Sequence, residues 1–217
     1  MRLDPAIFNR FLSTVSGIGQ AVLWLRAYDC PCRDPYSGAA APDCPHCHGK
    51  GVIWAAPVAA NTGLTSMAVS KQWANFGVWE TGDVALIVPG DSPLYGAGRF
   101  DQIILADSSE PFSTSFRRGE NDVLLWPVVA LERAFVLGEI DGEPAIIECA
   151  LPVVNDNGTM TWPDQGEIPD LGQAYSLTGR RRPVYFLYQD LPSDRAHHHG
   201  QPLPRKVVAR VFDLFGR

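Results

Sequence analysis

Five cysteines occur in the 217-residue chain, and four of them lie between positions 30 and 47. Cys30-Pro-Cys32 and Cys44-Pro-His-Cys47 form two close pairs separated by eleven residues. A tetrahedral zinc ion asks for this pattern: two tight turns, each presenting two thiolates, brought together by a loop. Two other chemistries use paired thiols. A disulfide needs an oxidising compartment, and here the N-terminal Met-Arg-Leu-Asp-Pro has an acid where a secretory leader needs its apolar run. A redox-active Cys-x-x-Cys needs a thioredoxin-like βαβ context, which this segment lacks. The reading favoured is a structural zinc site with Cys30, Cys32, Cys44 and Cys47 as ligands. His46 or His48 could each replace a cysteine, but four thiolates already complete the tetrahedron. With no open coordination position, the metal would organise the loop and would not activate water. Cys149, in an apolar run with Ile146, Ile147 and Ala150, reads as a buried small hydrophobe.

The surrounding chain must position this segment. Asp4-Pro5 is a helix start, a side-chain cap followed by Pro at the first helical position. Ile7, Phe11, Val15, Ile18, Val22 and Leu25 then recur at helical spacing, so a helix is expected over residues 1–27, weakened near Gly17 and Gly19. Residues 28–56 hold the zinc knuckle. From about Pro57 the texture becomes short β-type runs separated by Gly, Pro, Asp and Asn, predicting a mainly β domain, a barrel or sandwich, over residues 57–191. Strands are expected near Ser66–Gln72, Val84–Val88, Gln102–Ala106, Val123–Trp126, Ala134–Ile140, Ala145–Ala150, Thr159–Trp162, Ala174–Leu177 and Val184–Gln189. Asp141-Gly142 between two apolar runs is hairpin chemistry. Residues 192–217 read as a loop followed by a docking arm or added strand, Val207 to Phe215.

Composition bounds the function. Charged residues make up 19% of the chain, and Gly and Pro number 20 and 18. These values exclude a coiled coil, a helical bundle and a highly charged disordered chain. No run reaches the ~18 apolar residues of a membrane-spanning helix, so no membrane partner is expected. A net charge of −6 argues against broad nucleic-acid coating. From Glu139 to Asp170 there are eight acids and no Lys or Arg, whereas Leu171 to Arg217 carries eight basic residues against three acids. Copies of one chain could dock head to tail through such polarity. No His-Glu-x-x-His, Gly-x-Ser-x-Gly, P-loop or dinucleotide fingerprint occurs, and the chain is read as a non-enzyme. His197-His198-His199 reads as an exposed loop. Tryptophans 54, 73, 79, 126 and 162 read as β-core or interface anchors.

Two resemblances add to this. Cys44-Pro-His-Cys47-His48-Gly49-Lys50-Gly51 resembles the zinc-binding repeat of DnaJ-type chaperones, in which glycines let the backbone turn back and offer amides to sulfur. The single knuckle and the closer Cys-x-Cys pair depart from that family, so its activity is not carried over. The middle and end of the chain resemble tailed-bacteriophage (Caudoviricetes) virion proteins of the head–tail neck, collar or connector. The residues that carry this are Glu80 to Pro89, Phe100 to Leu105, Phe116 to Pro127, Arg182 to Tyr185 and Leu203 to Val208.

The second resemblance implies a structural protein made in the host cytoplasm and carried in the virion neck as a homo-oligomeric ring. Such a ring would join neighbouring portal or connector and tail proteins around the channel, with packaged DNA passing through and no sequence-specific binding. An acidic lining would let DNA slide. Two further classes stand beside it. One is a zinc-ribbon nucleic-acid-binding adaptor using Arg117, Arg118 and Arg180 to Arg182. The other is a cell-wall glycosidase using an acid pair from 139–170.

Overall fold

The computed structural model describes residues 5–13, 17–64, 82–120, 122–190, 197–198 and 200–215. The fold is mainly β, as the strand-and-turn texture predicts, and its contacts divide the chain into two compact units. The first comprises Met1–Asp107 with Val184–Arg217, and the second Ser108–Pro183.

A closed barrel forms the first unit. Its strands in chain order are β1 (Gln20–Leu25), β4 (Val58–Leu64), β5 (Val84–Val88), β6 (Gln102–Leu105), β13 (Val184–Asp190) and β16 (Arg205–Val211). Around the barrel the order is β1-β4-β5-β16-β13-β6, and every neighbour is antiparallel. Closure removes the exposed strand edges that would otherwise invite aggregation. Side chains fill the interior: Val22, Leu86, Val88, Ile103, Leu105, Leu187, Val207 and Ala209 form one buried cluster, joined by Leu94 from a 3-10 turn at Pro93–Gly96. Alternation along β5 and β16 supplies these residues from one face of each strand.

The helix expected over residues 1–27 is corrected. An α-helix, α1, spans only Pro5–Phe11, and Gln20–Leu25 is barrel strand β1. Apolar residues at 18, 22 and 25 fit a helical stripe. A run with both faces covered carries no periodicity of its own, however, and reads equally as a buried strand. Val22 faces the barrel core while Trp24 packs against it. The C-terminal run is likewise a barrel strand: β16 fills the gap between β5 and β13. Strand β4 had no local signal strong enough to announce it. The expected strand near Ser66–Gln72, with Trp73 and Trp79, lies outside the described residues.

Asp101 fixes one end of the barrel. It is buried, and its carboxylate accepts bonds from Trp24 Nε1 (2.7 Å), the Ala27 amide (2.7 Å) and the Gly98 amide (2.9 Å). Strand β1, the chain leaving it and the loop before β6 are therefore tied to one group. Asp101→Ala would orphan three donors and is expected to cost about 3 kcal/mol or more. Denaturant melts of the purified variant check this, and an unchanged midpoint would refute it.

The second unit leaves the barrel after β6 and rejoins it at β13. Its four-stranded antiparallel sheet has the order β7-β12-β8-β9, from β7 (Glu110–Arg117), β12 (Ala174–Arg181), β8 (Val128–Ile140) and β9 (Glu143–Cys149). A short pair, β10 (Val153–Val154) with β11 (Met160–Thr161), accompanies it. Phe116, Leu124, Ala134, Val136, Tyr175 and Leu177 form its own core. The β-rich stretch 57–191 is thus two cores where one domain was expected. Its strands alternate regularly in both, so local pattern could not separate them. The expected hairpin at Asp141-Gly142 is present, with φ of 55° and 83° at the two turn residues. The expected strand at Val123–Trp126 reduces to one bridge, Val123 to Thr159.

Candidate metal centre

Two short strands in the first unit clamp the cysteine segment. β2 (Ala27–Asp29) pairs antiparallel with β3 (Val52–Trp54), and the Cys30 amide donates to Gly51 O just inside them. The intervening loop carries both cysteine pairs. The Arg33 amide turns back to Cys30 O after the first, and the His48 and Lys50 amides return to Cys44 O and Cys47 O after the second. This second turn passes through left-handed backbone at His48, Gly49 and Gly51. At Gly51 an added Cβ would also press on Ala40 and Arg33, which accounts for a glycine there. Between the pairs, the Asp34 carboxylate caps a tight turn by accepting from the Tyr36 and Ser37 amides. Arg33 pairs with Asp29 and donates to Gly38 O, closing the loop base.

All four predicted ligands converge. The sulfurs of Cys30, Cys32, Cys44 and Cys47 lie within 4.8 Å of one another. Cys30 Sγ stands 3.7 Å from Cys44 Sγ, and Cys32 Sγ 3.4 Å from Cys47 Sγ. Four sulfurs each ~2.3 Å from one zinc would stand ~3.8 Å apart, so the spacing suits a shared tetrahedral ion. It is far longer than the ~2.05 Å of a disulfide, and the four cysteines are free thiols. Cys30, Cys44 and Cys47 are buried, and among the described residues Cys32 and Ile53 are the partly buried apolar side chains packed against them. The segment's core is therefore its sulfurs. His46 and His48 are exposed and stand outside this cluster.

Electrostatics make the set responsive to a cation. Amides of Cys47 and His46 pull the Cys44 thiol down to about 6. An amide from Ala41 acts the same way on Cys32, yet burial and the three neighbouring thiols overcome it and push Cys32 up to about 12. Cys30 is also raised, the Cys32 amide being outweighed by burial and the Cys44 and Cys47 thiols. One thiolate forms readily, and each further one in the same pocket is opposed until a cation offsets the charge. The amides that reach sulfur come from residues inside the cysteine pairs and from Ala41, whereas the sequence reading had assigned that role to the trailing glycines.

A contact that sequence reasoning missed ties this segment to the chain's C-terminal region. Lys50 Nζ lies 4.6 Å from the Phe212 ring centroid, and Trp54 packs edge-on against Phe212 and Phe215. Burial lowers the Lys50 pKa, with Asp213 opposing the shift. Trp54 Nε1 donates to Phe100 O, and Phe100 and Phe186 complete an aromatic cluster around Phe215. Trp54 is thus the packing anchor expected of it. Only the clustering of Phe212 and Phe215 behind β16 hinted at this.

The remaining candidates fall elsewhere. Cys149 is half-buried at the margin of the second core, where burial raises its thiol. Trp126 and Trp162 pack in that same unit against Phe112 and Tyr175. The eight acids from Glu139 to Asp170 are all exposed, so they form no buried cleft pair, and Glu148 is engaged by Arg133. Four of the five arginines of the adaptor reading are occupied within their own unit. Arg117 donates to Gly172 O, Arg118 to Pro169 O, Arg180 to Ser109, and Arg181 to Glu110 while covering Trp126. His197 and His198 belong to β14 (His197–His198), which pairs with β15 (Gln201–Pro202). Among the described residues no helix is long and apolar enough to cross a membrane. Comparison with protein-family models and with curated proteins finds no match for this chain.

Proposed function

We propose that this chain is a structural subunit of a multi-copy ring in the head–tail neck of a tailed-bacteriophage virion, with one zinc ion held by Cys30, Cys32, Cys44 and Cys47. One observation carries the reading. The stretches that resemble neck proteins are scattered from residue 80 to 208, yet their described parts include β5, β6, the start of β13 and most of β16. These are four consecutive barrel strands, in the order β5-β16-β13-β6. Four of the five stretches thus fall along one continuous wall of the barrel, as they would if they reflected a shared fold, while the fifth, Phe116 to Pro127, lies in the second unit. The four-sulfur centre suits a scaffolding role, since a closed tetrahedron braces a loop and offers no position to a substrate. The arginine contacts above weigh against the adaptor, because side chains spent on neighbouring carbonyls and carboxylates are poorly placed for phosphate.

Light scattering at moderate salt, with quantitative mass spectrometry of purified virions, tests the proposal. A ring-sized species and a fixed copy number per particle are expected. A monomer that binds DNA with steep salt dependence would overturn it in favour of the adaptor.

A further inference from the structure

Two exposed apolar patches on this chain are complementary in charge. The first lies on the β8–β9 hairpin. The ladder between β12 and β8 ends at the Ser176–Phe135 pair, and from Val136 to the turn β8 is paired with β9 alone. On this projecting ribbon Leu137 and Ile146 sit directly opposite each other, 76% and 55% exposed, and Ile140 is exposed beside the turn. Residues 136–147 carry Glu139, Asp141 and Glu143 and no Lys or Arg. A two-stranded ribbon is marginal in water without something on its face. Acids and Pro144 along the β9 edge disfavour extension by a further strand, so the face is the surface offered.

The second patch is on α1. Leu12 seats this element against Gly63 of β4, while Ile7 and Phe11, one turn apart, point away and are 61% and 55% exposed. The Ile18 amide donates to Phe11 O, which brings a third exposed side chain, 63% accessible, alongside. Arg10, on α1 itself, is exposed and is the only charge between Asp4 and Arg26 in sequence.

We propose that the β8–β9 hairpin of one copy docks on the α1 surface of a second copy. The inference rests on the assembly reading above and names the contact that would build it. Each patch sets two or three large apolar side chains in water at neighbouring positions, surface that a docked copy would cover. One is rimmed by three carboxylates and the other carries the exposed Arg10 guanidinium, so they attract each other. Because the two surfaces differ, the contact is heterologous and propagates from copy to copy, as ring assembly needs and a self-complementary pair does not.

Sedimentation velocity tests this with two variants, Leu137→Ser with Ile146→Ser, and Ile7→Ser with Phe11→Ser. Each is expected to sediment as a monomer where the parent chain assembles. Mixed in equal amounts, they should form a heterodimer and nothing larger, since one intact surface remains on each. Charge reversal guards against a variant that merely misfolds. Arg10→Glu alone, or Glu139→Arg with Glu143→Arg alone, should weaken assembly about tenfold or more, and combining them in one chain should restore it. Parent and both serine variants assembling alike, or a mixture that stays monomeric, would overturn the contact and leave the ring reading standing. Open chains that depend on both patches would keep the contact and defeat the ring. A parent chain monomeric at every concentration would defeat both.

Discussion

On the proposed zinc reading, a chelator at neutral pH is expected to unfold residues 30–51 and leave the barrel's β-type circular dichroism in place. The reason is the composition of the segment's core. Cys30, Cys44 and Cys47 are its buried residues, and Cys32 and Ile53 are what packs on them. Without a cation the sulfurs lose what holds them within 4.8 Å, and no aliphatic cluster replaces it. Structural zinc sites with four thiolates contribute on the order of 10 to 16 kcal/mol of apparent binding energy at pH 7, which under the proposed reading would be local folding energy. Cys44→Ser should reproduce the chelator effect. The protonation pattern sets the pH dependence. At pH 7 Cys44, at about 6, is already mostly thiolate, whereas Cys32, at about 12, keeps its proton until metal arrives. Binding at pH 7 should therefore release protons, that of Cys32 among them, and affinity should fall more steeply once pH drops below about 6 and Cys44 must also be deprotonated. Metal analysis, thiol titration and hydrogen exchange over 30–51 check these outcomes together. Protein purified without bound metal, and with its cysteines oxidised, would refute the site.

Arg210→Ala should be the most damaging single change in the barrel, lowering stability by about 3–5 kcal/mol. Arg210 on β16 holds Asp83, just before β5, through Nε to Oδ1 (3.1 Å) and Nη2 to Oδ2 (3.0 Å). The Asp83 side chain is fully buried and that of Arg210 is 11% exposed. Tyr188 covers the guanidinium, with Cζ 4.0 Å from its ring centroid. Truncating the arginine removes the cation facing a fully buried carboxylate, and that cost exceeds the bond itself. At ~2–4 °C per kcal/mol the melting temperature should fall by roughly 6–20 °C. Removing both partners, Asp83→Leu with Arg210→Met, should cost much less than removing one, because no charge is then stranded. Calorimetry on the three variants decides it; equal losses for the single and double changes would show that packing, not the charge, is what matters.

The four-cysteine cluster was legible because its information is local. Two cysteine pairs and an eleven-residue loop contain the four sulfurs, and the glycines after Cys47 announce the turn. Strands β5, β6, β9 and β13 were legible for a similar reason, each being an apolar run bounded by turn residues. What escaped was set by long-range pairing. Nothing near Val22 tells that Val58–Leu64 and Gln102–Leu105 will flank it, which is what makes Gln20–Leu25 a strand. Arg205–Val211 reads equally as an arm or an added strand until β5 and β13 are seen to lack a common neighbour. The division at Ser108 and Pro183 was hidden because both sheets use the same alternation, and only their separate cores distinguish them. The arginines of 117–118 and 180–181 looked like a phosphate site because their carbonyl and carboxylate partners lie tens of residues away in sequence.

The order of strands around the barrel also dictates a timetable for synthesis. β5 and β13 can be bridged only by β16, so the cylinder stays open until residues near 211 have left the ribosome. Until then β4–β5 and β1–β6 exist as open sheet with bare edges, a state prone to pairing with other nascent chains. The unit from Ser108 to Pro183 needs no such wait, since all four strands of its sheet come from its own segment. It is free to fold while the barrel is still incomplete. Once folded, it holds the ends of β6 and β13 as the remaining chain emerges, converting two distant strands into near neighbours before the closing strand arrives.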